Sequence, residues 1–109
     1  TPEQMLRSLQ KIALLPAETL VYCAHEYTEH NLQFAKSVEK NNADLNKRIL
    51  AAHATRAAGL ATIPSSIGLE LATNPFLRCD STEIRQTLAM QQADTVEVFA
   101  RLRQMRNQF

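Results

Sequence analysis

The sequence predicts a mainly α-helical chain with one strand near its N-terminal end, and three observations carry that reading. Beyond residue 27, apolar residues recur almost everywhere at helical spacing, with polar caps ahead of them. Only Thr19–His25 ("TLVYCAH") reads as a strand, and it is apolar on successive rather than alternate residues, the pattern of a strand covered on both faces. No second run offers to pair with it. Unpaired buried backbone groups are costly, so the rest of its sheet is expected in sequence outside these 109 residues. For so short an apolar run, an edge strand or a stretch of helix is the plainer alternative.

Each helix has its own signals. Thr1 can cap the first, with Pro2 at the opening position and Gln4 at capping-box spacing; Met5, Leu6, Leu9, Ile12 and Ala13 then share a face, and Pro16 ends it. Thr28 can cap a second helix reaching about Val38, with Leu32, Ala35 and Phe34 or Val38 inward. A third runs from Asn42 or Asp44 to Ala58 and stops at Gly59, a natural place for left-handed backbone. Residues 61–81 ("ATIPSSIGLELATNPFLRCDS") are punctuated by Pro64, Gly68 and Pro75, with one short helical turn near Ile67–Ala72. Asp80 or Ser81 caps a helix to about Gln91, and Asp94, with Glu97 three residues on, caps the last, Thr95–Gln108.

At 109 residues the chain is one domain or a piece of a larger protein, and 45% hydrophobic with 21% charged residues is a folded, soluble balance. A net charge of +1 offers no global attraction to nucleic acid or to a membrane surface, and no apolar stretch approaches the ~20 residues of a membrane span. Two cysteines, Cys23 in the apolar run and Cys79 in a polar turn, permit one bridge, but such sparse usage suits a reducing, cytoplasmic setting better than a disulfide framework. The chain shows no signal segment and starts at Thr1 rather than Met, so upstream sequence is expected.

The chemistry concentrates in two places. In "VYCAHEYT" (Val21–Thr28) an apolar run ends on His25, Glu26 and Tyr27. An imidazole at a strand end can ligate a metal or simply be a satisfied polar group. His30 and His53 form no ligand-spaced pair with it, and a catalytic zinc needs three protein ligands, so co-ligands of His25 would lie outside the chain. Glu26 points away from His25 on an extended backbone and reads as a surface or supporting acid. Tyr27 suits a pocket wall or a capped core position equally. On the last helix, Arg103 and Arg106 share a face three residues apart. Two adjacent guanidinium groups repel unless an anion joins them, and a carboxylate fits best; the alternative is a solvated basic face favoured by the helix C-terminus. Three arginines without a wider basic surface do not make a nucleic-acid footprint.

Together, "VYCAHEYT", "NLQFAKSVEKNNADL", "IPSSIGLELATNPFLRCDS" and "FARLRQMRNQF", in that order and spacing, closely resemble the C-terminal portion of the hydroxyacylglutathione hydrolase (glyoxalase II) family, across essentially the whole chain. The resemblance implies an αββα metallo-β-lactamase sandwich followed by a helical domain. Residues 1–27 would be the terminal helix and strand of that sandwich, its remainder absent here, and 28–109 the helical substrate-binding domain. It implies hydrolysis of S-D-lactoylglutathione to D-lactate and glutathione by hydroxide at a centre of two divalent metal ions, zinc or alternatively iron or manganese. His25 matches the family's last metal-binding histidine, Tyr27 a residue lining the glutathione site, and Arg103 an arginine at the glycine end of glutathione; Arg106 falls where lysine is common. The T-H-x-H-x-D-H motif, a further histidine and the bridging aspartate are not in this chain, so no catalytic set is complete within it and the isolated chain is expected to be inactive. The competing expectation is a free-standing helical binding or interaction module without catalysis, and a third keeps the scaffold but acts on another acyl thioester.

Overall fold

In the computed structural model, which describes residues 1–23 and 25–109, the described residues form six α-helices and one pair of two-residue strands. Helix α1 (Pro2–Ala13) opens as its sequence requires: Thr1 Oγ1 accepts from the Gln4 N–H at 3.2 Å while the Gln4 side chain accepts from the Thr1 nitrogen. Its apolar stripe, however, is only partly covered. Leu6 is buried and Leu9 packs on the core, but Met5 and Ile12 stay 43% and 47% exposed, and Leu14, Leu15, Leu20 and Tyr22 are exposed as well.

The expected long strand is a correction. Strand β1 is Leu20–Val21 alone, and it pairs antiparallel with β2 (Ser65–Ser66), Leu20 opposite Ser66 and Val21 opposite Ser65. A partner therefore exists within the chain, and the strand is not covered on both faces: Leu20 is exposed and Val21 half-buried. The ladder stops because Ser66 immediately caps helix α4 (Ile67–Thr73), accepting from the Leu69 N–H at 3.1 Å. The turn then closes on the chain before β1, with Ile67 and Gly68 N–H donating to the Thr19 and Ala17 carbonyls at 2.9 and 2.8 Å. Gly68 permits that approach, since a Cβ there would lie 3.2 Å from both the Ala17 Cβ and its carbonyl oxygen. Ala24, inside the expected strand, lies outside the described residues.

Helix α2 (Thr28–Val38) is central. Leu32 and Ala35 face Leu45 and Ala52 of α3 (Ala43–Ala57), while Phe34 and Val38 enter the main core with Ile84 of α5 (Thr82–Thr87) and Val98, Phe99 and Leu102 of α6 (Thr95–Gln108). Its buried arc spans roughly 160° at 100° per residue, wider than a one-sided surface helix needs. Thr28 does not cap it: Tyr27 occupies the cap position without a side-chain bond, and Thr28 is already helical. Asn42 caps α3, accepting from the Leu45 N–H at 3.1 Å, and Asp94 caps α6, accepting from Glu97 at 2.8 Å. Gly59 takes φ +75°, with Leu60 N–H bonded to Thr55 and Gly59 N–H to Arg56, a Schellman close.

Two further expectations change. Helix α5 ends at Thr87 rather than near Gln91, because Ala89 adopts φ 55° and Met90 N–H returns to the Arg85 carbonyl at 2.8 Å. Cys79 is a core residue, 4% exposed, not part of a polar turn surface, and burial together with the neighbouring Asp80 charge pushes its thiol up to about 12. Cys79 and the exposed Cys23 are both free thiols.

A polar hub fastens the helices. Glu39, 3% exposed, accepts from Arg78 Nε at 2.8 Å and Nη2 at 2.7 Å, from Ser81 Oγ at 2.6 Å and from Asn42 Nδ2 at 3.1 Å. One carboxylate thereby ties the end of α2 to the caps of α3 and α5. Burial pushes its pKa up, but the bonds from Arg78, Ser81 and Asn42 outweigh that and hold it below 4.5.

Candidate functional site

Helix α6 carries the basic face. Arg103 and Arg106 line one hollow of about 280 Å³ with Met5, Leu9, Asn74 and Phe76. Arg103 Nη1 meets the Met5 sulfur, and Arg106 donates to Asn31 Oδ1 through Nε at 3.2 Å and Nη2 at 2.9 Å. Neither arginine has an acidic partner among the described residues. That sets them apart from Arg48, Arg78 and Arg85, each paired with a carboxylate. Phe99 and Leu102 anchor the same helix in the core, so the two guanidinium groups project from a rigid support.

Arg106 also lines a second, more enclosed cleft of about 160 Å³ between α2, α3 and α4. Its floor is a polar network missed in the sequence. Arg48 donates to Glu70, to Thr73 Oγ1 at 2.8 Å and to Ser65 Oγ at 3.3 Å, and Asn74 Nδ2 donates to Glu70 at 3.2 Å. Glu70 and Thr73 lie three apart on α4, the only local hint of the cluster.

The other expected residues lie beside this cleft. Cys23 and Thr28, which flank His25 and Tyr27 in sequence, both line it; His25 and Tyr27 themselves do not. The two rings stack on each other, centroids 5.2 Å apart and 26° from parallel, and both are exposed. Glu26 between them turns the other way, accepting from the Thr62 N–H at 3.0 Å and from the Thr62 hydroxyl. Those bonds, the hydroxyl's foremost, lower its pKa. Its role is therefore to pin the His25–Tyr27 segment to the loop after α3. The structure thus sets Arg103 and Arg106 on one hollow and stacks His25 on Tyr27, while Val21, Cys23 and Thr28 border the Arg106 cleft.

Among the described residues no group of three His, Cys, Asp or Glu side chains could hold a metal ion, and His25 offers one exposed imidazole. Nor is any helix of the described residues long and apolar enough to cross a membrane.

Fold and site together define a class: a helical domain with an arginine-lined hollow and an exposed imidazole, His25, at the head of its second helix. The family model described as "Hydroxyacylglutathione hydrolase C-terminus" matches residues 26–109, and the chain belongs to that family. It is 54% identical to the hydroxyacylglutathione hydrolase of Shewanella halifaxensis and 53% identical to that of Methylobacillus flagellatus, each over 100% of this chain and 44% of the relative. To that of Methylococcus capsulatus it is 50% identical over 98% of the chain and 42% of the relative. The chain therefore spans under half the length of the curated relatives it matches.

Proposed function

We propose that this chain is the substrate-orienting C-terminal part of a glutathione thioesterase that hydrolyses S-D-lactoylglutathione to D-lactate and glutathione. The observation that carries the reading is the pair Arg103 and Arg106, without acidic partners, projecting into one hollow of a hydroxyacylglutathione hydrolase relative. A tripeptide with two carboxylates suits such a pair, and binding energy spent at the peptide end positions the thioester at the other. Tyr27 lines neither the hollow nor the cleft, but its exposed ring would offer an amphipathic wall to substrate in the full-length protein, and its stacking on His25 aligns the imidazole.

His25 is the one metal donor this reading assigns to the chain; its co-ligands belong to an upstream metallo-β-lactamase-type domain, with residues 1–27 the end of that domain and 28–109 the helical one. Two divalent ions, zinc or alternatively iron or manganese, would when bound activate water and polarise the thioester carbonyl. The exposed side chains of Ile12, Leu14, Leu15, Leu20 and Tyr22, all within residues 12–22, support a covering domain supplied from elsewhere. The in-chain pairing of β1 favours the free-standing binding module instead, though two residue pairs leave Leu20 and Tyr22 bare. Sparse, unbridged cysteines support a cytoplasmic setting.

The test uses the full-length protein, assayed for glutathione thioester hydrolysis and for bound metal. His25→Ala is expected to lower metal content and turnover together. A full-length protein that purifies without transition metal, or that leaves glutathione thioesters intact, overturns the reading.

A further inference from the structure

We propose that Asn31 is a positioning residue for Arg106, turning one edge of its guanidinium group towards a substrate carboxylate; the inference rests on the glutathione reading above. A guanidinium group presents two forked edges, Nε with Nη2 and Nη1 with Nη2. The Asn31 Oδ1 takes the first, at 3.2 and 2.9 Å, and leaves the second open for a two-pronged carboxylate contact.

The chemistry of the anchor matters as much as its place. Arg48, Arg78 and Arg85 are fixed by Glu70, Glu39 and Asp80, which neutralise them. Arg106 is fixed by a neutral amide, so its orientation is set while its charge stays available. Asn31 is itself well placed: its backbone N–H donates to the Tyr27 carbonyl at 2.9 Å, within the first turn of α2. One short turn therefore couples the position of Tyr27 to that of Arg106, which lies 75 residues further along the chain than Asn31.

The experiment is a double-mutant cycle in the full-length enzyme with S-D-lactoylglutathione. Asn31→Ala is expected to raise KM about threefold to tenfold, the worth of one ordinary hydrogen-bonding partner, with kcat within about twofold and the unfolding midpoint nearly unmoved. In an Arg106→Met background the same change is expected to add less than about twofold, because its target is gone. Asn31→Asp keeps the acceptor but cancels the charge, and is expected to raise KM at least as much as alanine does. A silent Asn31→Ala, fully independent effects in the cycle, or wild-type affinity in Asn31→Asp overturns the positioning role while Arg106→Met still raises KM. An Arg106→Met enzyme with unchanged KM overturns both this role and the glutathione reading beneath it.

Discussion

Replacing Glu39 by glutamine keeps the shape of the side chain and removes the charge at the hub of the fold. The carboxylate accepts two bonds from Arg78, one from Ser81 and one from Asn42, and is almost wholly buried. Breaking a buried ion pair on one side costs about 3–5 kcal/mol, since the remaining charge is stranded. The Arg78 side chain keeps 29% of its surface in water, which argues for the lower end, about 3 kcal/mol. For a domain of this size each kcal/mol moves the midpoint by about 4–8 °C, so a fall of about 12 °C or more is expected in thermal unfolding followed by circular dichroism at pH 7. Acid adds a second arm. The folded-state pKa of Glu39 lies below the ordinary 4.5, so its contribution is complete above that value and is lost as pH falls from there through the lowered folded pKa. The variant should therefore lose less stability than wild type between neutrality and that acid window. A shift under about 4 °C, or equal acid sensitivity in the two proteins, refutes the hub argument.

Two further predictions concern stability and reactivity. Gly59→Ala forces a Cβ into left-handed backbone with no neighbour within 4 Å to compensate, so it should cost about 1 kcal/mol, or about 4–8 °C, in the same melt. Cys79, its thiol raised to about 12 by burial, should resist alkylation at pH 8 in the native protein and label readily in guanidinium, read by mass spectrometry.

What was legible in the sequence follows the range of the interactions involved. Asn42 and Asp94 announce α3 and α6 because a cap bonds only two or three residues ahead. Gly59 marks its helix end for the same reason, whereas Ala89 does the same job at the end of α5 with no glycine to signal it. The run Thr19–His25 misled in a physical way: consecutive apolar residues say that a segment wants cover on both sides, not that this chain supplies it, and here Leu20 and Tyr22 are bare. At the site, Arg103 and Arg106 were readable as a pair because three residues is one helical turn. Their surroundings were not. Asn31 reaches Arg106 across 75 residues and Glu39 reaches Arg78 across 39, and contacts so distant leave no periodic trace.

Arg106, Asn74 and Phe76 each border both the 160 Å³ cleft and the 280 Å³ hollow, so they form the wall between two rooms. Shaving Arg106 to a small residue would thin that wall and leave Asn74 and Phe76 to divide the two spaces. The same side chain that offers its charge to one space also bounds the other, so any change in its length reshapes both.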